Sequence, residues 1–182
     1  IGLLFSSLLF YILTMKSLVV VVLFTTAAIY LGARVIEQFN ETFKLKKKEL
    51  DRAARKELKN KTTKKIRYVI AFLCFINFGI LFVTKYFNFF GENINALFNA
   101  LHIPAQIPFL NIFLPLGISF YTLSAISYVT DVARGVCKVE RNYLRLLLFL
   151  IFFPVITEGP ISRYGQLGEE LKAEHRFDYK QF

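Results

Sequence analysis

The chain has 182 residues, 55% of them hydrophobic and 16% aromatic, with 21 Phe, no Trp and a formal net charge of +10. With a mean hydropathy of +0.46, this profile excludes an ordinary soluble domain and fits a multi-span membrane protein. Most of the positive charge lies between Lys44 and Arg67. No aromatic interleaving there supports a nucleic-acid surface, and a block of this kind between apolar runs fits a cytoplasmic loop facing anionic lipid head groups.

Gly2 to Thr14 reads as a short apolar helix. It lacks the basic n-region and small-residue cleavage site of a signal peptide. Met15 and Lys16 form a turn, and Ser17 to Ile36, rich in Val and Leu and closed by Arg34, has spanning length. Residues 1–36 therefore read as a transmembrane helical hairpin. Residues 37–65 form a basic cytoplasmic segment with eleven Lys or Arg against five acids. Its Asp51–Arg55 and Glu57–Lys61 pairs have the favourable i,i+4 order, which fits a solvated or membrane-surface helix.

Residues 66–182 read as core membrane helices. Arg67 to about Tyr86 is the next span. Lys85 snorkels near its end, and Tyr86, Phe87, Phe89 and Phe90 resemble an aromatic belt. Gly91 to Pro108 reads as a nearly neutral connection. Phe109 to Thr130 spans again, Asp131 to Asn142 is a basic turn, and Tyr143 to Val155 is another apolar helix. Residues 165–182 are polar and amphipathic. The two basic stretches, 37–65 and 131–142, are separated by two spans and so lie on one side. The positive-inside rule makes that side cytoplasmic.

Two regions invite functional readings. On the 109–130 helix, Gly117, Tyr121, Ser124, Tyr128 and Asp131 follow spacings of 4, 3, 4 and 3 and share one face, while Ile118, Ala125, Val129 and Val132 point elsewhere. Such a stripe serves either close helix packing with interhelical hydrogen bonds or the lining of a polar tunnel. Pro115 can kink this span. The second region is 152–164, where Pro154, Glu158, Gly159, Pro160 and Arg163 interrupt an apolar run. Broken backbone at membrane depth is tolerated only inside protein or beside water, so a re-entrant segment is expected, with Glu158 and Arg163 as a pair. An interfacial turn is the alternative.

Cys74 and Cys137 lie at different membrane levels, so no disulfide is expected. No metal-ligand spacing, phosphate-binding glycine loop, nucleophile elbow or HExxH is present. His102 and His175 have no catalytic setting.

The stretch LPLGISFYTLSAISYVTDVARG, with KYFNFFGENINAL upstream and ERNYLRLLLFLIFFPVITEGPISRYGQL and EHRFDY downstream, resembles the membrane-bound O-acyltransferase (MBOAT) family. The similarity is to its bacterial alginate O-acetyltransferase-like branch, which is related to the D-alanyl transfer protein of teichoic acid synthesis. It covers most of residues 66–182, with a weaker match of LLFSSLLFYIL to an early helix. The resemblance implies an all-α, polytopic integral membrane protein carrying part of a multi-helix acyltransferase fold with a tunnel.

It further implies transfer of an acyl group, acetyl in this branch, from a cytoplasmic thioester donor (acetyl-CoA or a carrier-bound acyl group) to hydroxyls of an extracytoplasmic polysaccharide. A partner transferase or acyl carrier assists, and no bound cofactor is implied. The family's catalytic histidine lies beyond the EHRFDY segment, so no catalytic role is transferred to His175. The chain is accordingly read as an N-terminal portion of the enzyme that also lacks an early helix, and is expected to be inactive alone. Gly117, Tyr121, Ser124 and Tyr128 would then shape the tunnel, and Glu158 and Arg163 would hold the broken segment. A transporter or flippase component is the rival of another class, because broken helices and intramembrane charges occur there too. The window shows no internal repeat of the kind transport predicts. A purely structural scaffold is the third reading.

Overall fold

The computed structural model describes residues 2–15, 19–48, 50–110, 117–152, 154–155, 163–168 and 170–171. Among them every regular element is helical: α1 (Gly2–Met15), α2 (Val19–Lys46), α3 (Arg52–Leu81), α4 (Phe87–Ala100), α5 (Ile118–Arg134) and α6 (Tyr143–Ile151). Two helical stretches, Val19–Lys46 and the 49-residue rod Arg52–Ala100, are long and apolar enough to cross a membrane. At 1.5 Å per residue they measure about 42 and 73 Å.

Helix α2 runs ten residues past the expected end at Ile36. The stretch from Glu37 to Lys46 contains no Gly or Pro, and Ile36, Phe39 and Phe43 extend the 3–4 spacing. Lys44 and Lys46 lie in the last turn, where cations complement the helix dipole. The basic segment is thus divided between the end of α2 and the start of α3, with a turn at Lys47 and Lys48. On the exposed start of α3, Lys61 lies 2.6 Å from Glu57 and holds its carboxyl below the usual range, by hydrogen bond first and charge second.

The expected connection 91–108 is helical as far as Ala100. The rod continues through one π-turn, Phe82–Tyr86, instead of ending there. It stops in a Schellman motif. His102 is left-handed (φ 55°), and the Ile103 and His102 amides donate to the Phe98 and Asn99 carbonyls. An extended strap, 103–110, then runs back along α4. Pro104 and Pro108 favour that conformation. Asn88 and Asn95 each clamp one strap residue through both backbone groups. Asn95 bonds Ile107 N–H and C=O at 2.7 and 2.9 Å, and Asn88 bonds those of Leu110 at 2.9 and 2.8 Å. Gly91 lies between the two asparagines, where a Cβ would stand 3.3 Å from Ile107 Cγ2.

Helix α5 starts at Ile118 rather than near Phe109, behind a left-handed Gly117. It ends in a second Schellman motif at Gly135, φ 74°. Helix α6 stops at Ile151 instead of Val155. Pro154 has no N–H to donate to the Leu150 carbonyl, and its ring disfavours helical backbone before it.

Helices α2, α3 and α5 pack as a mutual triplet, and α6 lies against both α2 and α1. Ile29, Ala33, Ala125, Tyr128, Leu146 and Leu150 form the centre of the core. Gly32 lets α3 approach α2, since a Cβ there would overlap the buried Leu73 side chain. Leu at position 32 adds four heavy atoms to that contact and should lower stability by about 2–3 kcal/mol, with Ala costing less, read by thermal unfolding in detergent. The outer face of the rod is different: Phe72, Phe75, Phe78 and Phe82 are exposed. A soluble core helix would bury such a row, whereas lipid covers it without cost.

Candidate functional site

The polar stripe of α5 faces inward. Tyr121, Ser124, Tyr128 and Asp131 are all buried. So are Ile118, Ala125, Val129 and Val132, because α2 and α3 contact this helix from two sides. Burial therefore extends around most of α5 rather than along one face.

Tyr121 ties α5 to α2. Its hydroxyl lies 2.6 Å from Thr25 Oγ1 and 3.1 Å from Thr26 Oγ1. Both threonines donate back to carbonyls one turn earlier, at 2.8 Å to Val21 and 2.7 Å to Val22. Both threonine oxygens are then left to accept the tyrosine proton, and the Val22 carbonyl is a third acceptor at 3.3 Å.

Tyr128 belongs to a second knot. Gly135 turns the chain sharply after α5 and brings Glu140 back beside it. The Glu140 amide donates to Tyr128 Oη at 2.9 Å. The buried Glu140 carboxylate accepts from Tyr164 Oη at 2.5 Å and from the Asn142 amide at 2.8 Å. Asn142 in turn caps α6 by accepting from the Leu144 amide. The Tyr164 ring stands edge-on to Tyr128 and Phe149 at centroid distances of 4.9 and 5.0 Å. Tyr164 opens a second π-turn, Tyr164–Gly168. A Cβ at Gly168 would meet the Tyr164 ring at 2.8 Å, so that turn closes only over glycine. This knot joins the Tyr164–Gly168 turn to α5 and α6.

Glu140 also borders a groove of about 710 Å³, lined by Glu37, Lys44, Cys137, Lys138, Arg141 and Arg145 among others. Its charges are partly tied: Arg141 bonds Glu37 at 3.2 Å, Arg34 reaches the same carboxylate at 3.5 Å, and Tyr30 donates to the Arg141 carbonyl at 2.9 Å. The groove offers cations to an anionic ligand. The Glu140 carboxylate carries two donors already, so it is suited to holding structure rather than to taking a proton.

Gly117 is the left-handed residue before α5. Arg163 is exposed, and its carbonyl accepts from the Gln166 and Leu167 amides. Glu158, and with it the expected Glu158–Arg163 pair, lies outside the described residues, as do Pro115, Gly159, Pro160 and His175. Cys74 and Cys137 are both partly exposed. No cluster of three metal-ligating side chains occurs among the described residues.

Sequence reasoning missed Glu140, the Thr25–Thr26 pair and Asn77. Asn77 is buried in mid-α3, donates to the Leu73 carbonyl at 2.9 Å, and leaves its Oδ1 without a partner among the described residues. The available signal was polarity itself: each interrupts or borders an apolar run, where an unpaired polar group is costly.

No family model matches the chain, and no solved structure matches it. Curated relatives do. A protein of Pseudomonas syringae pv. tomato named "Probable alginate O-acetylase AlgI" is 35% identical over 104 residues, 56% of this chain and 18% of the relative. A protein of the same name from Pseudomonas putida is 34% identical over 97 residues, 52% of this chain and 19% of the relative. The teichoic acid D-alanyltransferase of Bacillus subtilis is 37% identical over 65 residues, 35% of this chain and 16% of the relative. The matched stretch thus spans under a fifth of the length of each. The chain is thus similar over about half of its residues to alginate O-acetylases, and over about a third to a teichoic acid D-alanyltransferase, relatives that are members of the MBOAT family.

Proposed function

We propose that the chain is part of a membrane O-acyltransferase that moves an acyl group, acetyl in the alginate-type case, from a thioester donor to hydroxyls of an extracytoplasmic polysaccharide. The observation that carries this reading is the 35% identity over 104 residues to an alginate O-acetylase. The two lipid-length helices and the exposed phenylalanine row support the membrane setting.

In this reading the protein is polytopic in the cytoplasmic membrane, and the basic stretches 37–65 and 131–142 face the cytoplasm. The thioester, acetyl-CoA or an acyl carrier, arrives on that side, and a partner transferase passes the group to the acceptor. Tyr121, Ser124 and Tyr128, with Gly117 at the head of α5, brace the wall of the reaction chamber, and Glu158 and Arg163 hold the broken segment beside it. A general base must reach the acceptor proton, and among the described residues none is so placed.

The test is expression of the natural reading frame that carries residues 1–182 in a host making an unacetylated uronate polysaccharide. Acetyl esters are expected with that frame, and none with residues 1–182 alone. A polysaccharide that stays free of ester in both cases refutes the reading. Glu158→Ala in the active protein should cut transfer at least tenfold while membrane abundance holds. Unchanged transfer would remove Glu158 from the site.

A further inference from the structure

A second cleft, of about 480 Å³, opens where α2, α3 and α5 meet at their basic ends. Three cations line it, Lys59 and Arg67 from α3 and Arg134 from α5, together with the hydroxyl residues Thr62, Thr63 and Thr130. No acid lines it, and among the described residues none of the three cations has a carboxylate partner. The groove beside Glu140 differs, since Glu37, Glu41 and Glu140 stand among its cations. The floor is apolar, formed by Phe43, Ile66 and Ile70.

The position along α3 matters as much as the composition. The polar stretch of that helix ends at Lys65, and the apolar run starts within the next few residues. Lys59 and Thr62 lie before the change, Ile66 and Arg67 at it, and Ile70 beyond it. Tyr68, at the same level, is exposed and fits an interfacial aromatic. Unpaired cations, hydroxyl donors and an apolar floor at one level match a phosphodiester with a glycerol backbone beneath it. A freely soluble anion would leave the floor unused. Basic pockets between spanning helices on the cytoplasmic side suit anionic head groups, and the volume lies within the range of ligand clefts.

We propose that this cleft binds the head group of an anionic phospholipid, with Lys59, Arg67 and Arg134 on the phosphate and the threonine hydroxyls on its oxygens. The inference rests on the membrane placement given above, though not on the acyl-transfer chemistry.

The experiment uses the full chain, purified in a non-ionic detergent and titrated with phosphatidylglycerol or phosphatidylcholine, with bound lipid counted by native mass spectrometry. Phosphatidylglycerol is expected to bind at least tenfold more tightly. The combined variant K59Q/R67Q/R134Q should lose that preference, at about fivefold per cation removed. The control K44Q/K138Q, which alters the other basic groove, should keep it. Equal binding of the two lipids, or a preference that survives the triple variant, overturns the proposal. Displacement of the lipid by millimolar inorganic phosphate also overturns it, by assigning the cleft to a soluble anion. Carbonate extraction of cell membranes reads the placement separately. A chain released by carbonate refutes the membrane setting, whereas a retained chain without lipid preference refutes only this site.

Discussion

Glu140→Ala is expected to destabilise the purified protein by about 3 kcal/mol, seen as a fall of roughly 6–12 °C in Tm. The carboxylate is buried and accepts two hydrogen bonds, from Tyr164 Oη and the Asn142 amide. Bonds to a charged acceptor are stronger than neutral ones, and removing the carboxylate takes that charged acceptor from the buried Tyr164 hydroxyl. Glu140→Gln should cost about half as much, because the amide oxygen keeps one bond and its NH₂ faces a second donor. Tyr164→Phe and Glu140→Ala remove the same hydrogen bond, so their combined cost should fall below the sum of the single costs in a double-mutant cycle. An Ala variant within 0.5 kcal/mol of the parent, or strictly additive costs for the pair, would show that the knot contributes nothing to the fold.

The Asn88→Ala/Asn95→Ala pair should release the strap 103–110. Four hydrogen bonds are lost, two at each residue. At about 1 kcal/mol each the loss approaches 4 kcal/mol, less whatever water recovers at this half-buried site. The strap should become a point of rapid proteolysis while the helix content stays constant. Aspartate should not rescue either position. It keeps the acceptor for the amide but sets a carboxylate against the Ile107 or Leu110 carbonyl. Protection equal to the parent in the double variant would mean that Gly91 packing alone seats the strap.

Much of the helical frame was legible in the sequence because lipid-length apolar runs are a strong signal. The runs beginning near Ser17 and Arg67 were read from composition, and both are helical. The limits failed where polar residues continue a helix. Glu37–Lys46 carries no Gly or Pro and Gly91–Ala100 no Pro; the first was assigned to a separate surface segment and the second to a connection, although helices tolerate such polarity well. In the opposite direction, Phe109 was read as helical because it is apolar, while Pro108 and the two asparagine clamps hold that neighbourhood extended.

The polar stripe of α5 was legible because its spacing is strictly helical. Its partners were not. Thr25, Glu140 and Tyr164 are 96, 12 and 36 residues away from the tyrosines they serve, and no local period connects them. The NxxGxxxN spacing of Asn88, Gly91 and Asn95 was present in the chain, but its meaning depends on a strap that only the tertiary structure supplies.

Incorporation of acyl label in membrane vesicles of defined orientation is the most direct measurement. Vesicles carrying the natural reading frame are given a radiolabelled acetyl thioester outside, with acceptor polysaccharide enclosed or bound on the opposite face. Label should enter the polysaccharide in inside-out vesicles, where the basic ends of α2, α3 and α5 meet the donor, and not in right-side-out vesicles. Label entering only right-side-out vesicles would contradict the orientation. Label absent from both, with donor intact and protein in the membrane, would contradict the acyltransferase itself.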